Sequence, residues 1–284
     1  MSSIQSVNPL SIVFMCVTLM ICFGMPIGLA IWGKVKYKRA FSFLPLLLGI
    51  IGFTLFQIVI RVNILLPMIQ TSSWFKESVS HPSFQWLYVV FLCVTAGLFE
   101  EPVRFTAFAI LKKKQQYPNG LSYGIGHGGI EAMLLVGLTY VNNLIYSIMI
   151  NTGAFDPMLS SLPQAYQTQL EAVRTALISA SSDVFLIGGL ERVFTMVIQI
   201  ALSVLVVRGF MVNRKWLYLV FATLLHAVID FIPSAMQMFK LNMWLIEGAI
   251  AVMAVLALLY IIKQAREWRN DQTLLQQQTI PAAE

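Results

Sequence analysis

Gly97-Leu98-Phe99-Glu100-Glu101-Pro102-Val103-Arg104 lies in the middle of an otherwise apolar run from Phe84 to Leu111. At ~1.5 Å of rise per residue, that run is long enough to cross a ~30 Å hydrocarbon core as a helix. A charge near the centre of such a span costs roughly 2.5–3.5 kcal/mol on insertion scales. Three charges within five residues therefore demand partners or water, and at membrane depth they mark a functional site. The rest of the chain is read for the groups that answer Glu100 and Glu101.

Composition agrees with a membrane setting. Of the 284 residues, 58% are hydrophobic and only 11% charged, whereas soluble domains carry about 25% charged residues. The mean hydropathy is +0.75. Six further apolar stretches have spanning length, giving seven: Pro9–Trp32, Phe41–Ile69, Phe84–Leu111, Leu121–Ile150, Asp183–Val207, Trp216–Met236 and Leu241–Ile262. The first has no basic region before it and no small-x-small cleavage site after it, so it reads as a retained helix rather than a secretory signal. The expected fold is all-α, a polytopic bundle of about seven transmembrane helices.

The net charge of +6 is topogenic. Thirteen of the nineteen basic residues fall on one side if every span crosses once, among them Lys34, Lys36, Lys38, Arg39 and Lys112–Lys114. By the positive-inside rule the N-terminus is outside and the C-terminus cytoplasmic. Basic residues placed in this way argue against a nucleic-acid partner. The chain reads as one integral membrane domain over 1–263, with its motif-bearing core at about 96–235. A polar cytoplasmic tail, 264–284, is expected to be partly disordered past Asp271. Between spans four and five, a helix-compatible patch from Gln164 to Ala180 reads as a surface lid. Cys16, Cys22 and Cys93 lie within spans, lack zinc-type spacing, and read as packing residues.

The other ionisable residues at depth recur in pairs. Span four opens Gly126-His127-Gly128-Gly129-Ile130-Glu131, whose His127 and Glu131 share a helix face. Span five carries Glu191-Arg192, adjacent and so directed to different faces, with Gln199 two turns on. Span six carries His226 and Asp230, again four apart. Counted from the cytoplasmic ends, Glu100, His127, Glu131, Arg192 and His226 fall in a layer roughly 9–23 Å deep. Each piece alone also has a structural reading as an ion pair or polar helix contact. Arg61 and Glu247 read as snorkelling or helix-end residues.

A carboxylate beside a histidine can deprotonate water, and a second imidazole can hydrogen-bond the oxyanion formed when that water attacks a peptide carbonyl. No H-E-x-x-H zinc motif, G-x-S-x-G elbow or phosphate loop is present. Zinc stays open as an alternative, since histidines and carboxylates are its ligands.

Taken together, Glu100-Glu101-x-x-Arg104, Gly-His127-Gly-Gly-x-Glu131, Gly189-x-Glu191-Arg192 and His226-x-x-x-Asp230 resemble the YhfC family of intramembrane proteases. That family is similar to the CAAX-prenyl protease and bacteriocin-processing superfamily, with PrsW proteases and the Aph subunit of γ-secretase more distant look-alikes. The resemblance covers about Ala96 to Asp230, half the chain. It implies a glutamic-type intramembrane endopeptidase in which Glu100 or Glu101, with a histidine, activates water without a metal or other cofactor. Arg104 would orient the paired glutamates, His226 and Asp230 would stabilise the oxyanion, and His127 and Glu131 would form the second motif. The partners it implies are a membrane-associated or lipid-modified peptide substrate and the bilayer. Two departures stand out. Glu-Glu-x-x-Arg is one residue shorter than the superfamily's spacing, and Gln199 occupies the place, seven residues after Glu-Arg, where the family commonly has a histidine. Either His127 is the catalytic imidazole or this member is weakened. The rival readings are a non-catalytic scaffold and, on another footing, a proton-coupled transporter, for which no inverted repeat is visible.

Overall fold

The computed structural model describes residues 6–278, the side chains of 275–278 excepted. Among the described residues, seven helices are long and apolar enough to cross a membrane. They are α1 (Pro9–Ala40), α2 (Phe43–Gln70), α4 (Pro82–Ile110), α5 (Tyr117–Thr152), α8 (Ser182–Met211), α9 (Lys215–Met238) and α10 (Met243–Gln278). The short helices α3 (Ser73–Ser78), α6 (Phe155–Ser160) and α7 (Gln164–Ser179) fill the two long connections. All seven expected spans are present, and α7 matches the helix-compatible patch.

Local chemistry explains the breaks. Pro9 follows the cap Asn8, whose side chain accepts from the Leu10 N–H, and Ser42 caps α2 by accepting from the Leu44 N–H. Gly153 takes the left-handed conformation (φ 76°) that ends α5. Three helices widen into π-type turns, over Met20–Gly24, Phe53–Leu65 and Ala132–Gly137. Such segments are rare and recur at functional sites.

α10 continues to Gln278, so the polar tail begins as helix. Aromatic contacts hold its beginning: Trp268 packs edge-on to Tyr37 at 5.5 Å and tilted against Tyr117 at 6.3 Å. Glu267 pairs with Arg208 at 3.1 Å. Residues 279–284 lie outside the described residues.

The chain divides into two compact units. One comprises the chain up to Ile27 with Glu131–Val193; its apolar core gathers Met15, Ile150, Phe155, Leu177 and Phe185. The other comprises Gly28–Ile130 with Phe194–Glu284. In this second unit α8 is buried continuously from Ile198 to Val207, as expected of a helix that is apolar all round. Phe108, Tyr123, Val206, Val207 and Ala222 form one core cluster there; Ile198, Leu202, Ile246, Ile250 and Ala254 form another.

Helix approach in the second unit depends on missing side chains. A Cβ on Gly97 would stand 2.8 Å from the Thr223 carbonyl oxygen of α9, so α4 and α9 touch backbone to backbone. A Cβ on Gly126 would collide with the Leu46 carbonyl, which seats α5 against α2. These two contacts bring α4 to the helix carrying His226, and α5, with His127, to α2.

Candidate active site

Within the second unit, the Glu100–Arg104 turn of α4 faces α5, α8 and α9. Glu100, Glu101, Arg104, His127, Gln199 and His226 are all buried. Glu100 Oε2 is the convergence point. It lies 2.8 Å from His127 Nε2, 3.2 Å from Gln199 Nε2, which donates to it, and 3.6 Å from His226 Nε2.

Glu101 is held differently. Its Oε1 lies 2.8 Å from His226 Nδ1 and 3.5 Å from Arg104 Nη2. With ionised carboxylates as acceptors, the imidazoles must donate: His127 through Nε2–H and His226 through Nδ1–H. His127 Nδ1, which is buried with no hydrogen-bond partner, then carries a lone pair and no stranded N–H. Phe53 packs edge-on to this ring at 5.0 Å, and Tyr123 lies 6.0 Å from it. Fixing Nδ1–H of His226 on Glu101 aims its Nε2 towards Glu100 and towards Asp230 Oδ2, 3.6 Å away. Asp230, whose side chain is 39% exposed, is where this otherwise closed cluster opens.

Arg104 is fully buried and doubly anchored on Gln199, donating to its carbonyl oxygen at 3.2 Å and to its side-chain oxygen at 2.6 Å. The Gln199 amide thus accepts from Arg104 and donates to Glu100. Sequence reading treats Gln199 only as a departure that weakens the site. In the structure it is a connector, because an amide offers one acceptor and two donors on a single planar group.

Three other expected site residues, Glu131, Glu191 and Arg192, lie in the first unit and form their own network. Arg192 donates to Glu131 Oε1 at 3.3 Å and also pairs with Glu191. The expectation that Glu191 and Arg192 point to different faces fails, because the long arginine curls back onto its neighbour's carboxylate. His127 pairs with Glu100, whereas Glu131, one helical turn on, pairs with Arg192.

Arg61 is also misread by sequence. It is buried rather than snorkelling, donating through Nε to Thr95 Oγ1 at 3.1 Å and through Nη2 to the Leu92 carbonyl at 2.6 Å. It lies four residues after Gln57, itself buried, so the two share a helix face. The three cysteines are free; Cys22 and Cys93 are buried, as expected of packing residues, whereas Cys16 is exposed.

Whether these groups suit a metal can be tested on distances. Zinc bonds of ~2.0–2.2 Å in tetrahedral geometry place neighbouring donor atoms about 3.4 Å apart. His127 Nε2 and Glu100 Oε2 are closer than that, at hydrogen-bond distance. Among the described residues, no group of three or more histidine, cysteine, aspartate or glutamate side chains is placed to hold an ion. The contact between His127 Nε2 and Glu100 Oε2 is that of a hydrogen bond, whereas His226 Nε2, 3.6 Å from both Glu100 Oε2 and Asp230 Oδ2, lies near the spacing of two donors on one ion.

Comparison with known proteins bears on the same residues. No solved structure matches the chain. It is 30% identical over 261 residues to a Bacillus subtilis (strain 168) protein described as an uncharacterized membrane protein YhfC, covering 90% of this chain and 97% of that one. Residues 21–250 match the family model described as YhfC intramembrane metalloprotease. That span takes in both the Glu100 cluster and the Arg192 network. With seven apolar helices among the described residues, a membrane-protein relative and a match over most of its length, this chain belongs to the YhfC intramembrane metalloprotease family.

Proposed function

We propose that this protein is a glutamic-type intramembrane endopeptidase that hydrolyses a peptide bond in a membrane-associated or lipid-modified substrate, with Glu100 as general base. The observation carrying this reading is the convergence of His127, Gln199 and His226 on one oxygen of Glu100. Glu101 turns its Oε1 to His226 Nδ1 and Arg104, whereas Glu100 Oε2 faces His226 Nε2, the nitrogen that also meets the partly exposed Asp230. The family description names a metal; the 2.8 Å hydrogen-bond contact between His127 and Glu100 supports the metal-free route.

In this mechanism, water enters past Asp230 and hydrogen-bonds Glu100 Oε2 and His226 Nε2, which at 3.6 Å apart can both reach one oxygen atom. Glu100 takes a proton from the water as its oxygen attacks the scissile carbonyl carbon. His226, as the imidazolium whose Nδ1–H is held by Glu101, presents Nε2–H to the developing oxyanion in a site with little solvent. The tetrahedral intermediate collapses, the C–N bond breaks, and Glu100 returns the proton to the leaving amine. Arg104 and Gln199 act as positioning residues for the two glutamates.

The test is on purified protein in detergent, with wild type beside Glu100→Gln, Glu101→Gln and His127→Ala. Each is incubated with a mixed library of membrane-anchored peptides, with and without a zinc chelator, and new termini are scored by mass spectrometry. The reading expects cleavage that survives the chelator and vanishes in Glu100→Gln. Loss of wild-type cleavage on chelation would return the site to metal chemistry, and cleavage by Glu100→Gln would remove the proposed base.

A further inference from the structure

Away from the carboxylate cluster, the second unit holds two adjoining cavities between α8, α9 and α10. The inner one, about 380 Å³, is lined only by apolar side chains and Tyr260, including Ile198, Leu202, Leu225, Ile229 and Ala257. The outer one, about 510 Å³, is lined by Arg208, Lys263, Gln264 and Glu267 as well as Tyr218. Leu205, Phe221 and Tyr260 belong to both linings, so the two form one continuous groove. The Tyr260 hydroxyl, at this junction, is buried without a hydrogen-bond partner.

The groove changes chemistry along its length in one direction. Ten residues of α8 separate Ile198 from Arg208, about 15 Å of helix. An apolar arm of that length, followed by an orphaned hydroxyl and then by cations, matches an amphiphile with one hydrocarbon chain and an anionic head. Arg208 lies in the last turn of α8 and Lys263 directly follows the apolar run that ends at Ile262, positions suited to the anionic surface of a bilayer leaflet. Glu267 pairs with Arg208 at 3.1 Å and neutralises one of the two charges, which leaves a net single positive charge at the head end.

We propose that this groove is a binding site for one anionic glycerophospholipid. The phosphate sits at Arg208 and Lys263, the ester region reaches the Tyr260 hydroxyl, and one acyl chain lies in the apolar arm. Leu225 and Ile229 flank His226 on α9, so the bound chain abuts the helix that presents that imidazole. The site stands apart from the hydrolytic reading and does not depend on it.

The experiment uses the full chain in phosphatidylcholine nanodiscs, titrated with phosphatidylglycerol and read by native mass spectrometry after release. Wild type is expected to retain phosphatidylglycerol at least fivefold over phosphatidylcholine. The pair Arg208→Gln with Lys263→Gln should abolish that preference, and Ala257→Trp, which fills the apolar arm, should reduce retention of both lipids. A Lys112→Gln with Lys113→Gln pair removes the same charge elsewhere and should behave as wild type. The proposal is overturned if wild type shows no preference, or if well-folded groove variants keep it. It is equally overturned if glycerol phosphate lacking chains competes as well as the lipid, or if the retained species is a peptide.

Discussion

The role assigned to Gln199 can be tested directly by Gln199→Leu. The substitution keeps the volume, and the backbone carbonyl that accepts from Arg104 at 3.2 Å stays in place. It removes the 2.6 Å bond from Arg104 to the amide oxygen and the 3.2 Å bond from the amide to Glu100. Hydrogen bonds to charged groups contribute about 1.5–3 kcal/mol each. Arg104 keeps Glu101, and Glu100 keeps His127, so the loss should fall short of two full bonds, at about 2–4 kcal/mol. For a chain of this size that corresponds to a fall on the order of 5–12 °C in Tm, read by thermal unfolding in a single detergent. Gln199→His is the informative partner. An imidazole can also accept from Arg104 with one nitrogen and donate to Glu100 with the other, so it should recover most of the lost stability. A Leu variant as stable as wild type, or a His variant no better than Leu, would refute the idea that Gln199 connects the two charges.

Other expectations follow from the same contacts. Gly97→Val puts branched carbon against the Thr223 backbone, which can yield only by moving α9; a loss of about 1–3 kcal/mol, together with reduced cleavage from a displaced His226, would be seen by thermal unfolding and peptide assay. Arg192→Leu removes the ion pairs to Glu131 and Glu191, with about 1–3 kcal/mol lost for hydrogen bonds to charged, part-buried groups. Cleavage per folded molecule should survive, and its selective loss would bring the Arg192 network into the chemistry. Arg61→Met removes the donors to Thr95 and Leu92 without leaving a bare charge behind from those two partners; a cost of about 1–3 kcal/mol is expected, and an unchanged Tm would contradict it.

Much of the site was legible in the sequence because charges in apolar runs are expensive and therefore conspicuous. Glu100, Glu101, Arg104, His127, His226 and Asp230 were all selected on that ground, and the structure brings them together. Depth also gathers Glu131 and Arg192, which pair with each other in a second network. Selection by depth was too narrow for Arg61, which looked like a helix-end residue. Gln199, uncharged, attracted notice only through a resemblance, and its meaning reversed once its two partners were visible.

The sequence by itself determined the seven helices, since spanning length and hydropathy are local properties of each segment. It also determined how deep each ionisable group lies, because the helical rise is fixed. Tertiary structure alone decided which imidazole meets which carboxylate. That choice depends on the rotation and separation of neighbouring helices, set here by backbone contacts at Gly97 and Gly126 that no single-helix period encodes. The same contacts place His127 on Glu100 and His226 on Glu101, and so distinguish two adjacent glutamates that the sequence leaves equivalent.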